Sequence, residues 1–206
     1  MATKKTVRDL LDEHGRTFAE EAGIDLADKP APLYRLLVVA VLVSAPIQAG
    51  IAVSAARELG EFGTARRMRD ATWQQRVDAL GRGHYVRYDE STSTALGEGA
   101  QLLLDRYDGD LRKLRDQADG DVEEIKAKLR EVPRLGPVGA DVFCREAQAV
   151  WPQLRPYFDK KALSSAEQHG LPTDPQQLAE LVGGDDLARL AAALVRAAGS
   201  RRKVSA

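Results

Sequence analysis

Apolar residues recur every three or four positions along most of the chain, which is the spacing of one face of an α-helix. The first stripe consists of Val7, Leu10, Leu11, His14 and Phe18, and the last of Leu187, Leu190, Ala191, Leu194, Val195 and Ala198. Between them the pattern predicts helices over residues 48–60, 64–70, 73–81, 93–107 and 121–131. No Asn-Gly or Asp-Gly dipeptide separates two alternating stretches, so no β-hairpin is predicted. We therefore predict an all-α fold.

The longest apolar stretch is LLVVAVLV, residues 36–43, and it is followed by Pro46. A membrane-spanning helix needs about 20 apolar residues, so this stretch is too short and we expect a buried core element and no membrane partner. Its valine content also fits a buried strand, but the helical pattern of its neighbours favours a helix.

A second feature is EVPRLGPVGADVF, residues 131–143, which places two prolines and two glycines between helical patterns. It predicts two helices joined by a short turn. The free N–H groups at the start of the second helix favour an anion. Gly136 and Gly139 lack a Cβ, so a phosphate could approach the backbone there. The alternative is a corner that only turns the chain.

Composition adds limits rather than a function. The chain has 206 residues and is 44% hydrophobic, so it can bury a core. Its net charge is -1, so any nucleic-acid binding needs positive charge that is clustered locally. Such clusters are Arg66, Arg67 and Arg69, then Arg82 and Arg87, then Arg134 and Arg145. The single cysteine, Cys144, excludes an intramolecular disulfide and a four-cysteine iron-sulfur cluster, and we expect no cofactor and no metal. The first fifteen residues carry charges where a secretory signal has its apolar segment, so we expect a cytoplasmic protein. In a bacterium it would be associated with the nucleoid.

The turn and its surroundings resemble the helix-hairpin-helix of the endonuclease III superfamily of DNA glycosylases, whose motif is Leu-Pro-Gly-Val-Gly-x-Lys-x-Ala. The corresponding residues here are 132–140, VPRLGPVGA, in which the proline, the second glycine and the alanine match. Other landmarks follow in the family's order: Ser44-Ala45 at the end of the apolar stretch, GRGHYVRY (81–88), LLLDRYDGDL (102–111) and Tyr157-Phe158-Asp159. The resemblance covers about residues 33–172.

The resemblance implies a two-lobed helical fold with double-stranded DNA bound between the lobes. One lobe is a central helical barrel, residues 31–145, including the hairpin 129–145; the other combines residues 1–30 with 146–206. The hairpin would contact the DNA backbone through amides around Gly136, Val138 and Gly139, beside Arg134. A modified base would be turned out of the duplex before it reacts.

The resemblance also assigns Asp159 as the catalytic carboxylate. Such a group can stabilise an oxocarbenium-like sugar or orient a water molecule. The residues alone favour a plain helix N-cap at Asp159, before KKALSSAEQHG, and the two roles are compatible. The lysine that forms a Schiff base in bifunctional relatives is replaced by Val138, so strand cleavage through that position is excluded. This pattern predicts a monofunctional glycosylase of base excision repair.

Two further DNA contacts are predicted by position. The family's glutamine that fills the space left by the base aligns with Pro46, and Gln48 is either its substitute or an ordinary surface residue. The turn at His84 and Tyr85 lies where relatives insert a wedge into the opposite strand, and the alternative is a solvated loop.

Two other functions stay open. A non-catalytic helix-hairpin-helix protein could bind DNA or sense damage without a reaction, which the altered glycine, lysine and glutamine positions favour. A helical protein-interaction domain would have no DNA role at all.

Overall fold

A computed structural model describes residues 2–204 of the chain and the side chains of residues 3–198. The described residues form α-helices, turns and short 3-10 segments and contain no strand, which confirms the all-α prediction. The helices in chain order are α1 (Ala2–His14), α2 (Phe18–Glu21), α3 (Pro30–Val43), α4 (Ala49–Glu58), α5 (Ala65–Asp70), α6 (Trp73–Arg82), α7 (Asp89–Tyr107), α8 (Leu111–Gln117), α9 (Val122–Leu129), α10 (Pro137–Ala147), α11 (Lys160–Gln168), α12 (Pro175–Ala179) and α13 (Leu187–Val204).

The chain divides into two compact units. The inner unit is Ala19–Phe143, and the terminal unit combines Met1–Phe18 with Cys144–Ala206. The sequence had placed residues 19–30 with the chain ends, but they belong to the inner unit. Long-range bonds hold them there: Arg57 Nε donates to the Glu21 carbonyl over 2.6 Å, and Arg115 pairs with Asp28 over 3.1 Å.

The inner unit is built around α3, which is buried along almost its whole length. Residues 36–43 lie in this helix, so the apolar stretch is a core helix and not a strand. Helix α3 packs against α4, α4 packs against α6, and α5 and α6 both pack against α7. Because α3 has no solvent face, its sequence shows little of the amphipathic alternation that marks surface helices.

The terminal unit has its own core, in which α13 packs against α1 and α11. That core consists mainly of Val7, Leu10, Phe158, Ala162, Ala166, Leu171, Leu178, Leu187, Leu190, Ala191, Ala193, Leu194 and Ala197. Helix α12 begins at the N-cap Asp174, whose carboxylate accepts from the Gln177 amide over 3.0 Å, and Pro175 occupies the first helical position. No helix in the described residues is long and apolar enough to cross a membrane.

Candidate nucleic-acid interface

Helices α9 and α10 form the hairpin that the sequence predicted. Helix α9 begins at the N-cap Asp121, whose carboxylate accepts from the Glu124 amide over 2.7 Å. The turn is closed by a hydrogen bond of 3.0 Å from the Leu135 amide to the Val132 carbonyl, and both of these side chains are buried. The apolar residues on either side of the interruption therefore anchor a short, exposed corner between two helices.

Arg134 occupies a backbone conformation that usually requires glycine. Its φ is 65°, in the left-handed region. The motif quoted above has its first glycine at this position, and here an arginine adopts a conformation that glycine adopts more easily. The Arg134 side chain is exposed and donates from Nη1 to Ser91 Oγ over 3.0 Å.

Gly139 has a packing role that the sequence did not indicate. It is buried, and a Cβ at this position would lie 2.2 Å from Ser44 Oγ and 2.9 Å from the carbonyl oxygen of Ala40. Both of these atoms belong to the C-terminal end of α3 and the residue after it. Close packing of α10 against α3 therefore explains this glycine, and the contact of its amide with DNA stays a prediction.

Gly136 shows the opposite environment. It is partly exposed, and a Cβ built there meets no atom within 4 Å, so packing does not explain this glycine. Its carbonyl accepts from the Ala140 amide over 3.0 Å, so it is the N-cap residue immediately before α10. In the described part of the chain, the amides of Gly136, Val138 and Gly139 donate to no acceptor. Pro137 has no N–H group, and Val138 is 64% exposed.

Asp159 is buried and both of its carboxylate oxygens are engaged. Oδ1 accepts from the Ala162 amide over 2.9 Å, so the residue is the N-cap of α11. Oδ2 accepts from Arg145 Nη1 over 2.5 Å, and the two side chains are 7% and 4% exposed. The N-cap that the sequence allowed is present. The ion pair was not foreseen, because Arg145 had been grouped with the hairpin as a cation for phosphate.

The turn after α6 separates the two residues that the sequence treated together. His84 is exposed and has a φ of 63°, so its ring lies on the surface of a tight turn. Tyr85 is only 1% exposed, and burial raises the pKa of its hydroxyl. Its assignment as a DNA contact is wrong, because a ring inside the core cannot reach a duplex. His84 stays a prediction.

Gln48 lies at the start of α4 and its side chain is exposed. Its carbonyl accepts from the amides of Ile51 and Ala52, but its side chain makes no cap hydrogen bond. That the Gln48 side chain fills the space left by an extruded base stays a prediction.

The arginine clusters of the sequence differ in how much of their charge is neutralised. Arg69 pairs with Asp70, and Arg82 bonds to both Glu58 and Glu61. Within these clusters, the exposed arginines that the described structure pairs with no carboxylate are Arg66, Arg67, Arg87 and Arg134. All four belong to the inner unit.

Sequence reasoning missed two aromatic residues near the hairpin corner. Trp73, at the start of α6, is 41% exposed although tryptophan is usually well covered. Tyr88, just before α7, lies beneath two guanidinium groups, with Arg87 Cζ 5.3 Å and Arg134 Cζ 5.6 Å from its ring centroid. The local signal was the run of aromatic and basic residues HYVRY, but periodicity could not show which ring would point outward.

No cluster of three or more His, Cys, Asp or Glu side chains in the described residues could hold a metal ion. The one cysteine, Cys144, is buried.

No family model matches the sequence, and no curated protein matches it either. Among solved structures, the chain is similar to a trapped covalent intermediate of endonuclease III with DNA, with a TM-score of 0.48 and 16% sequence identity. The likeness covers 95% of this chain and 85% of that one.

Proposed function

We propose that this chain binds duplex DNA and that the corner between α9 and α10 grips a backbone phosphate. The observation that carries the proposal is the pair of amides at Gly136 and Val138, which lie in a partly exposed turn and donate to no acceptor in the described residues. They lie at the start of an eleven-residue helix, where the helix dipole also favours an anion. Packing does not require a glycine at position 136, where a Cβ meets no atom within 4 Å, and the missing side chain leaves room for a phosphate beside these amides.

Positive charge lies close to this corner. Arg134 belongs to the turn itself, and it shares the Tyr88 ring with Arg87. Neither guanidinium is neutralised by a carboxylate in the described part of the chain. Contacts of this kind neutralise phosphates and release counterions, but they carry no sequence information. The proposed binding is therefore sensitive to salt and tolerant of sequence.

The reaction we propose for the bound protein is hydrolysis of the N-glycosidic bond of a damaged or modified base, without strand cleavage. Its support is the sequence resemblance, which places Asp159 at the catalytic position, together with the absence of an amine at Val138. A carboxylate at that position would stabilise the oxocarbenium-like sugar or orient the attacking water.

A second candidate is DNA binding or damage sensing without a reaction. The Arg145–Asp159 ion pair favours it, because the cap and the pair together use both carboxylate oxygens. Each oxygen keeps one acceptor site while both contacts are made, but the guanidinium offsets the negative charge that would stabilise an oxocarbenium-like sugar.

Salt-dependent binding tests the common part of both candidates. The dissociation constant for a fluorescent duplex is measured by anisotropy at several salt concentrations. Loss of one phosphate contact in Arg134→Ala should weaken binding and reduce the slope against the logarithm of salt concentration by about 0.9. Arg82→Ala is the matched control, since two glutamates already hold that guanidinium. If the wild-type protein binds no duplex, a helical protein-interaction domain is the remaining function.

A panel of lesion duplexes separates the two candidates. After incubation, alkali cleaves any abasic site, and the products are resolved on a denaturing gel. Alkali-dependent cleavage by the wild-type protein identifies a glycosylase, and Asp159→Asn should then abolish it. The double variant Asp159→Asn, Arg145→Met removes the unpaired buried charge, so a loss of activity there is not a consequence of unfolding. Undiminished activity in both variants would remove Asp159 from the mechanism, and binding without any base release would identify the non-catalytic protein.

A further inference from the structure

A surface groove of about 470 Å³ lies next to the hairpin corner, within the inner unit. Trp73, Arg87, Tyr88 and the first turns of α7 line it. Its volume falls in the range of about 300 to 1,000 Å³ that is usual for sites of small organic molecules. The hairpin reaches this groove through Arg134, which donates to Ser91 in its wall.

The Trp73 ring is held in place although it is exposed. Its Nε1 donates to Thr94 Oγ1 over 3.2 Å, and Ser93 Oγ donates to the Trp73 carbonyl over 2.9 Å. Buried Arg76 fixes the same region, because it donates to the Ser93 carbonyl over 2.9 Å and to the Ala71 carbonyl over 2.6 Å. A fixed, exposed indole loses little freedom when a flat ring stacks on it.

Tyr88 and its two guanidinium groups form the other side of the groove. Arg87 and Arg134 lie over the ring at cation–π distance. These same groups can meet a phosphate at the edge of the groove while a base lies inside it. Aromatic rings beside arginines are the combination with which proteins bind unpaired nucleotides.

The acidic residues of the groove decide which part of a nucleotide enters it. Asp89 and Glu90 belong to the lining, and the Asp89 carboxylate accepts from the Glu90 amide over 2.7 Å. Two carboxylates repel a phosphate, but they can accept from the exocyclic amino group of a base. The groove therefore suits an uncharged base whose phosphate stays outside, near the arginines.

We propose that this groove holds an unpaired nucleobase of the DNA strand that the hairpin grips, stacked on Trp73 and preferably carrying an amino group. The proposal rests on the proposed function and adds to it a place where an unpaired base is held, a groove within the inner unit. It also gives Trp73 a reason to be exposed.

Two duplexes test the proposal, one fully paired and one with a single unpaired adenosine. The quantity measured is the ratio of their dissociation constants, obtained by anisotropy. Stacking of one base on an aromatic ring corresponds to about a 5- to 150-fold preference for the second duplex. Trp73→Ala and Tyr88→Ala should lower this ratio, whereas Trp73→Phe, which keeps a ring, should retain most of it. Gly136→Ala should weaken binding to both duplexes and keep the ratio.

Tryptophan fluorescence gives a second measurement. The chain has two tryptophans, and Trp151 is fully buried, so quenching by a base reports on Trp73. An unpaired thymidine should quench less than an unpaired adenosine. An unchanged ratio of dissociation constants in Trp73→Ala would overturn the inference. The absence of fluorescence quenching would overturn it as well, and it is the result expected if the groove binds a protein instead of a base. If neither duplex binds, the proposed function is wrong. Quenching of Trp73 by a single-stranded oligonucleotide then tests separately whether the groove binds an unpaired base.

Discussion

Gly136 and Gly139 are three residues apart at the same corner, and their substitution by alanine should affect different properties. Gly139→Ala should lower stability, and Gly136→Ala should lower the affinity for DNA. At Gly139 a Cβ would lie 2.9 Å from the carbonyl oxygen of Ala40 and 2.2 Å from Ser44 Oγ. The hydroxyl can rotate away, but it then loses its hydrogen bond of 2.7 Å to that same carbonyl. The carbonyl belongs to the buried helix α3 and cannot move without shifting the core. Overpacking of this kind costs about 1–3 kcal/mol.

At Gly136 a Cβ meets no atom within 4 Å, and the residue is not in the left-handed region. The stability of Gly136→Ala should therefore stay within about 1 kcal/mol of the wild type, since the loss of a favourable N-cap glycine opposes the gain in chain entropy. Its methyl group, however, stands where the phosphate is expected. Loss of one hydrogen bond to a charged group corresponds to about 1.5–3 kcal/mol, or a roughly 10- to 150-fold weaker affinity for DNA.

Urea unfolding followed by circular dichroism, together with anisotropy on a paired duplex, measures both effects. Of these two variants, we expect a lower urea concentration at the unfolding midpoint only in Gly139→Ala. In thermal unfolding, its melting temperature should be lower by about 2–4 °C for each kcal/mol of lost stability. We expect weaker DNA binding in Gly136→Ala without a loss of stability. The reasoning is refuted if Gly139→Ala is as stable as the wild type, or if Gly136→Ala binds DNA with unchanged affinity.

Three further predictions concern burial and charge. Asp159→Ala leaves Arg145 as a buried, unpaired charge, so urea unfolding should show a loss of about 3–5 kcal/mol, and the double variant with Arg145→Met should recover part of it. The pKa of Asp110 lies below its ordinary value of 3.8, chiefly because Arg112 donates to the carboxylate. Its contribution to stability is therefore present above about pH 4 and is lost as the pH falls further, and Asp110→Asn should reduce the dependence of the unfolding midpoint on pH in that range. Tyr85→Phe should bind DNA with wild-type affinity, since the ring is buried; a weaker affinity at unchanged stability would return Tyr85 to the interface.

The helices and their starts were largely predictable because they depend on contacts within four residues. The stripes of α1 and α13, the interruption between α9 and α10, and the N-caps at Asp159 and Asp174 all follow from local spacing. Helix α8 was missed, since its seven residues give too few turns for a periodic pattern. The hairpin corner, with Arg134 and Gly136 at its surface, was also predictable, since only prolines and glycines interrupt the pattern there.

Tertiary structure alone decided which groups at the candidate site are available. Trp73 bonds to Thr94, 21 residues away, and Arg82 bonds to Glu58, 24 residues away, so one ring is held outward and one cation is neutralised. Tyr85 points into the core and Gly139 packs against α3. Helical periodicity specifies the face of each helix but not the helix that covers it. Exposure, ion pairing and close packing depend on that second helix, and for this reason they appear only once the chain is folded.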